Sequence, residues 1–523
     1  MNQEILRLFM KKGFLLDNEM LNFFSQLEDE EIADKIVDKI KTISSERIIT
    51  KSLVGENISN IGDVFSSLKD EKKKLVERFF VNLSLNLEIK KERFIEEKNK
   101  PKTEQAGQMQ EEVQELANHL KISFPHIFTA KKIEVGDFVK HFRNRYTEMK
   151  NLLQERSELQ NLSSLDRISG QKQNISVIVI ISEKRITKNK NILLEIEDLT
   201  GRGIALVNQN KPEIYAKAQD MVLDDVVGLR CSGSREMLFV NDIIYPDSMI
   251  LEKKKSEKEV YALFTSDMHV GSKNFLEENF LRFADFLNGK INHKQDVKKI
   301  KYLFFLGDNV DGVGTYPGQE NELVIMDMKK QYDKLAELLK LIRKDIRIIM
   351  CPGQHDAVRV AEPQPAIDSQ FAPALYELKN LTLVTNPCYI SLQEGFNILM
   401  YHGASFHGLI SDIDSLRTSN PSDKPTLIHK HLLKRRHLAP THSAVVYIPS
   451  EKDALMIRQI PDILVTGEMH KLDVDSYNNI LTISNSCWQS QTAYEEKVGN
   501  HPDPCKVAML NLKTREIKIL DFS

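Results

Sequence analysis

The chain has no Cys-x-x-Cys pair; its five cysteines (Cys231, Cys351, Cys388, Cys487 and Cys505) are scattered. That spacing excludes a zinc ribbon, and the odd count favours free thiols in a reducing compartment. No apolar run is long enough to span a bilayer, so no membrane partner is expected. The first residues, Met-Asn-Gln-Glu-Ile, lack the basic-then-apolar pattern of a secretory signal, and the expected location is cytoplasmic. Charge of one sign is also missing: 72 Lys and Arg stand against 75 Asp and Glu. Without a global basic field, contact with nucleic acid must be local. At 523 residues, the chain is too long for a single core.

What is present changes character along the chain. Residues 1–48 read as a small helical domain, with an apolar stripe at Ile5, Leu6, Leu8 and Phe9, a stop at Gly13, and Asp17 placed to cap a second helix. Residues 49–131 read as a flexible linker, because Lys90 to Glu112 is mostly charged and cannot bury enough apolar surface to fold. A helix is expected within 132–168, leading into short strands at Ile175–Ile181, Asn191–Glu197, Ile204–Val207, Val226–Cys231 and Met237–Ile244. Five strands in residues 132–251 suit a barrel of the oligonucleotide-binding (OB) type or a small open sandwich. After the charged hinge Glu252–Lys258, strands and helices alternate over 259–523, which predicts an α/β layered domain.

Five segments of that last domain place acidic, amide or imidazole side chains directly after an apolar strand-like run. They are Asp267-Met268-His269, Gly307-Asp308-Asn309-Val310-Asp311, Gly353-Gln354-His355-Asp356, His402-Gly403 and Gly467-Glu468-Met469-His470. In an open α/β sheet, ligands collect at the carboxyl ends of strands. Each segment alone is a weak signal; in this order and at these positions they predict the ligand set of two divalent cations, Mn2+ or Mg2+. The expected ligands are Asp267, His269, Asp308, Gln354, His402, Glu468 and His470. Asp308 is the carboxylate expected to bridge the ions, which would promote attack of water on a phosphate ester. His355 is the expected proton donor to the departing oxygen. Asp356 either orients that histidine or simply stabilises its turn.

These segments resemble the calcineurin-like metallophosphoesterases. A fuller match is carried by Asp137 to Tyr146 before the strands, Pro352 to Arg359 continuing through Glu362-Pro363-Gln364-Pro365-Ala366-Ile367, Arg435-Arg436-His437-Leu438-Ala439-Pro440 and Trp488-Gln489-Ser490-Gln491. Over roughly residues 132–523 the chain is similar to the small subunits of archaeal family D DNA polymerases, relatives of the B-subunits of eukaryotic replicative polymerases. The resemblance implies an OB-type barrel followed by a phosphoesterase domain. It also implies a 3′→5′ exonuclease acting on single-stranded or mismatched 3′ ends, a large catalytic subunit as partner, primer-template DNA as a second partner, and a place at the nucleoid. The N-terminal helices are candidates for docking a processivity factor, though no residue selects one. Two departures stand out: the family's Gly-Asn-His-Asp is here Gly353-Gln354-His355-Asp356, and its Gly-His-x-His is here Gly467-Glu468-Met469-His470. They admit a rival, a non-catalytic scaffold whose site is impaired at Gln354 and Glu468. A stand-alone phosphatase fits less well, given the preceding strands and the Arg435 to Pro440 segment.

Contacts with DNA phosphates are expected from the basic run His429 to His437, chiefly Lys434, Arg435 and Arg436, unless Leu432 and Leu433 mark it as an ordinary helix with a solvated face. Arg359 either holds a phosphate or pairs with Glu362. Trp488, the single tryptophan, is read as a core or interface anchor rather than a base-stacking residue.

Overall fold

In the computed structural model the described residues are Phe9, Lys11, Lys12, Phe14–Leu16, Asp38, Ile48–Ile49, Leu120–Ser123, 132–291 and 294–523. The chain divides into two compact units, Met1–Gln110 and Glu111–Ser523. In the first, strand β1 (Leu15–Leu16) pairs in parallel with β2 (Ile48–Ile49), and Lys12 Nζ lies 2.8 Å from Asp38 Oδ1. The expected helices of residues 1–48 fall almost wholly outside the described residues, as does the charged stretch Lys90 to Glu112.

In the second unit, β3 (Leu120–Ser123) lies within the segment read as a flexible linker, yet it forms an antiparallel edge strand. Its Leu120 and Ile122 pack on an apolar core, which explains why these four residues are ordered. Helix α1 (Val135–Gln154) starts with a capping box, Asp137 accepting the Glu134 N–H at 3.0 Å. It ends earlier than the expected helical stretch and buries Tyr146, Met149 and Leu153 at helical spacing.

The five expected strands then form a closed barrel in the order β4-β5-β6-β8-β7. The strands are β4 (Lys172–Ile186), β5 (Ile192–Glu197), β6 (Arg202–Val207), β7 (Val226–Gly233) and β8 (Leu238–Ile244). Closure depends on the length of β4, which pairs with β5 through Ile180↔Glu197 and with β7 through Ile180↔Val226. Between β6 and β7 lies α2 (Pro212–Gln219), a helix whose weak apolar pattern gives no sequence signal; Ala218 is its buried residue. Alternate residues Ile192, Leu194 and Ile196 of β5 point into the barrel's own core, the period-2 pattern of a strand with one wet face.

The rest is a two-sheet sandwich with helices outside. One sheet has the order β12-β11-β10-β9-β18-β19, built from β9 (Tyr261–Thr265), β10 (Ile300–Leu306), β11 (Arg347–Cys351), β12 (Leu381–Leu383), β18 (Lys506–Asn511) and β19 (Ile517–Asp521). The other has the order β16-β17-β15-β14-β13-β3, adding β13 (Cys388–Leu392), β14 (Asn397–Tyr401), β15 (Ile463–Thr466), β16 (Asp473–Tyr477) and β17 (Ile480–Ser484) to the edge strand. β9 is wholly buried because both its faces are covered. Ala262 and Phe264 meet the opposite sheet, while Tyr261 and Leu263 meet α3 (Glu277–Leu287) and α4 (Met328–Lys340). The outer face of the second sheet is covered by α5 (Phe406–Asp412) and α6 (Thr426–Arg435) through Leu409, Leu432 and Leu433. Trp488 is 1 % exposed and lies among Phe280, Phe283 and Phe522; its indole N–H donates to Thr265 Oγ1 at 2.7 Å, as a core anchor would.

Candidate metal centre

Strands β9, β10 and β11 run parallel, as do β14 and β15, so the loops that follow them gather at the carboxyl edges of the two sheets. The backbone there is strained. Asp267, His269, Asp308, Glu468 and His470 all adopt left-handed φ angles of 50°, 49°, 45°, 68° and 52°. Each costs a non-glycine residue on the order of 1–3 kcal/mol and persists only where its neighbours force it. Glycine is required beside them: a Cβ on Gly353 would run into Asp308 Oδ1, and one on Gly307 into the His402 ring.

Hydrogen bonds at the outer nitrogens dictate what the inner nitrogens can do. The Leu306 carbonyl can only accept, so His402 Nδ1 carries the hydrogen in that 2.5 Å bond. His402 Nε2 is then a lone pair, fully buried and without a hydrogen-bond partner, 3.3 Å from Asp308 Oδ2 and 3.2 Å from Glu468 Oε2. His470 Nδ1 lies 2.9 Å from Glu495 Oε1, and His269 Nδ1 lies 3.1 Å from Asp311 Oδ1. The two Nε2 atoms of His269 and His470 face each other at 3.3 Å. Lone pairs aimed at one another and at carboxylates repel unless a positive charge joins them, and a carboxylate behind each ring is how metal-ligating histidines are held. Without a cation that charge is a proton. Burial disfavours it on His402, but Asp308 and Glu468 outweigh burial and hold the imidazole far above its ordinary pKa. Asp308 mirrors this: burial would raise its carboxyl, and His402 and His355 instead hold it well below the usual range.

Among the described residues, three groups have ligand atoms within 4.8 Å of one another: Asp267 with His269 and His470; Asp267 with Asp308 and His402; and His269 with Asp311 and His355. Asp267 and His269 each occur in two of them, and Asp308 joins Asp267 and His402. Gln354 Oε1 is buried without a hydrogen-bond partner, as an amide ligand would be, while its Nε2 donates to Glu468 Oε2 at 2.8 Å. The two departures from the family pattern thus touch each other. These donors fit divalent cations: imidazole nitrogens with their far side held, carboxylates, and one orphaned amide oxygen.

His355 donates through Nδ1 to the Asp311 carbonyl at 2.7 Å, and its Nε2 stands 4.0 Å from Asp308 Oδ2. Burial opposes its charge, but Asp308, the Asp311 carbonyl and the Asp311 carboxylate together raise its pKa.

Asp356 does not orient His355. One of its oxygens accepts Gly353 N–H, Asn309 N–H and Asn309 Nδ2, and the other accepts the Tyr332 hydroxyl at 2.9 Å. Its sequence alternative, a turn stabiliser, is the geometry found. Burial and then Asp308 push its carboxyl up to about 6. The expected DNA contacts are likewise redirected. Arg435 is 3 % exposed and pairs with the barrel's Asp225 at 2.9 Å, and Arg436 is 6 % exposed and donates to the Ile457 and Arg458 carbonyls. Lys434 Nζ sits 4.3 Å from the Tyr245 ring centroid. Arg359 spends its guanidinium on the Ala361 and Pro363 carbonyls. A basic run at helical spacing does not reveal that the barrel covers it.

Two residues that hold imidazoles have no role assigned from the sequence. Asp311 holds His269; its signal was present in the two carboxylates three residues apart after β10. Glu495 holds His470 from 25 residues away, on α7 (Ala493–Val498), where it also forms the capping box with Thr492, and it carries no local signal.

A strained imidazole–carboxylate cluster at the mouth of a helix-flanked β-sandwich, with a closed barrel before it, defines the class: residues 262–473 match the family model of the DNA polymerase alpha/epsilon B-subunits, and that stretch contains all five segments. DNA polymerase II small subunit of Methanothermobacter thermautotrophicus is 35% identical over 394 residues, covering 75% of this chain and 80% of that protein. That of Archaeoglobus fulgidus is 34% identical over 379 residues, 72% of this chain and 75% of that one. That of Pyrococcus furiosus is 35% identical over 402 residues, 75% of this chain but 64% of its own length. The chain belongs to this family, the small subunits of the archaeal family D DNA polymerase. A solved archaeal phosphodiesterase covers 50% of the chain at 10% identity with a TM-score of 0.27, too weak a likeness to argue from.

Proposed function

We propose that this small subunit is a two-metal 3′→5′ exonuclease that trims single-stranded or mismatched DNA ends and supports synthesis by a large catalytic subunit. The observation that carries it is the set of inward-facing imidazole nitrogens: His269 and His470 Nε2 meeting at 3.3 Å, and His402 Nε2 facing two carboxylates. Asp267, His269 and His470 would hold one cation, and Asp308, Gln354, His402 and Glu468, with Asp267 within reach of both groups, the other. Bound divalent cations supply Lewis-acid polarisation of the phosphodiester and an activated water at neutral pH. Asp311 and Glu495 keep the ring hydrogens on the outer nitrogens, so the inner lone pairs remain available. His355, its Nδ1 hydrogen spent on Asp311, holds its other proton at Nε2 toward the site and delivers it to the departing sugar oxygen. The closed barrel, with a helix between β6 and β7, we assign to the OB type, and residues 132–251 and 259–523 to two domains.

One observation favours the rival scaffold reading. Glu468 is engaged by the Gln354 amide at 2.8 Å and by His407 Nε2 at 3.4 Å, so part of its capacity for a cation is already taken. The test is a manganese-dependent assay on labelled single strands and mismatched primers. Stepwise shortening from the 3′ end, absent in Asp308→Ala and His355→Ala, supports the nuclease. No shortening in wild type, together with undiminished binding of a large subunit, leaves the scaffold. A gain above about tenfold in the double variant Gln354→Asn, Glu468→His would show that the two departures impair the site.

A further inference from the structure

Beside His355, on the loop that follows Asp311, two apolar side chains face outward. Tyr316 is 42% exposed and Val313 45% exposed. The Tyr316 ring meets His355 edge-on, with centroids 6.3 Å apart and planes 64° apart. Exposed side chains on loops are ordinarily mobile, but this loop is pinned at both ends by buried amides. At its start, Gly312 N–H donates to Gln331 Oε1 at 2.9 Å, and Gln331 Nε2 donates back to the Gly312 carbonyl at 3.0 Å. At its end, Gln319 Nε2 donates to the Asp311 carbonyl at 2.8 Å and to Asp311 Oδ2 at 3.0 Å, while Gln319 Oε1 accepts the Thr315 N–H at 3.0 Å. Gln319 and Gln331 are both fully buried. The same Asp311 that holds His269 and receives His355 therefore fixes the base of the loop that carries Tyr316.

We propose that Tyr316, flanked by Val313, is a stacking shelf for the nucleobase next to the 3′ end, that of the nucleotide left behind after cleavage. The inference rests on the nuclease reading above and adds to it the recognition of the penultimate base. The chemistry is that of aromatic platforms for single strands. An exposed ring accepts any base because every base has a π-face, and such contacts do not discriminate sequence. The position suits the penultimate base: in 3′→5′ hydrolysis the departing oxygen is the O3′ of the penultimate nucleotide, so a phosphodiester whose leaving oxygen lies at His355 carries that nucleotide's sugar and base beyond the imidazole, where the ring stands.

The test uses the full chain and 5′-labelled single strands whose nucleotide next to the 3′ terminus is either ordinary or abasic (the ordinary and the abasic end). Binding is read by fluorescence anisotropy with Ca2+ present. Wild type is expected to hold the ordinary end about tenfold more tightly than the abasic end. Tyr316→Ala abolishes that preference, and Tyr316→Phe keeps it. No preference in wild type, or the same preference in Tyr316→Ala, overturns the shelf. With Mn2+, Tyr316→Ala raises KM for the ordinary end by about tenfold and leaves kcat within roughly twofold. Equal losses on both ends overturn the shelf while leaving the nuclease standing. A wild type that cleaves neither strand yet retains the binding preference overturns the nuclease and leaves the shelf.

Discussion

An imidazole nitrogen that has given its hydrogen away and faces two carboxylates is stable only with added positive charge. His402 is in that position: its Nδ1 hydrogen goes to the Leu306 carbonyl, and its Nε2 faces Asp308 and Glu468. Manganese should therefore stabilise the folded chain, by about 2.7 kcal/mol at a hundredfold excess over Kd. The measurement is the thermal unfolding midpoint with and without Mn2+, and His402→Ala should abolish the metal-dependent increment. His355 and Asp356, adjacent in the chain, should behave oppositely. Asp356→Ala strands three N–H donors and the Tyr332 hydroxyl in the interior and should cost on the order of 3 kcal/mol in urea unfolding. His355→Ala removes a partly exposed ring and should change stability by less than about 1 kcal/mol while abolishing hydrolysis. Equal destabilisation by the two variants would contradict these assignments. The spacing of Gly353 to Asp356 shows that something gathers there; it does not distinguish the proposed proton donor from the loop brace, because that depends on Tyr332 and Asn309, 24 and 47 residues away.

At the scale of elements, α6 shows how a surface pattern becomes an interface. Its basic run reads as a solvated or DNA-facing stripe, yet Arg435 crosses to Asp225 of the barrel with both side chains about 2% exposed or less. Removing the guanidinium leaves a buried carboxylate without its partner, so Arg435→Ala should destabilise the unit by about 3–5 kcal/mol. Urea unfolding followed by fluorescence of Trp488 checks this. DNA binding by the folded remainder should be unchanged, whereas a selective loss of DNA affinity with intact stability would return Arg435 to a phosphate-binding role. The strands that carry the site were legible for a different reason. Runs such as Leu303-Phe304-Phe305-Leu306 are apolar on both faces, as strands buried between two layers must be. Helix α2 and the edge strand β3 were not, since one has little apolar pattern and the other is a four-residue strand within the segment read as a linker.

Across the Glu111–Ser523 unit, α1 and the segment after α6 share one buried ionic cluster. Asp453 accepts Arg145 Nε at 2.7 Å and His437 Nε2 at 2.9 Å, while His437 Nδ1 accepts the Ala439 N–H at 2.9 Å. With that lone pair occupied, His437 is neutral, and burial followed by Arg145 lowers its pKa to about 4. Its folded value lies below the unfolded value of about 6.5, so the unfolded chain takes up the proton first as pH falls. The stability advantage of wild type over His437→Gln should therefore shrink by up to about 1.4 kcal/mol per pH unit between about pH 6.5 and 4. Urea unfolding of both proteins across that range measures it, and comparing the two cancels the other imidazoles. A gap that is constant with pH would mean His437 is charged in the fold.

The amino-acid order alone determined the alternation of strands and helices after residue 259, the five strands before it, and which imidazoles, amides and acids stand at strand ends. Those features are local: they follow from periodicity of two or 3.6 and from residues adjacent to an apolar run. Only the tertiary structure decided that Asp267 is common to two ligand groups, that Asp311 and Glu495 set the ring hydrogens, and that Gln354 and Glu468 bond each other. It also decided that the basic residues of α6 face a barrel. Each of these depends on which loop or surface lies opposite, and contacts between distant parts of the chain leave no period in the sequence.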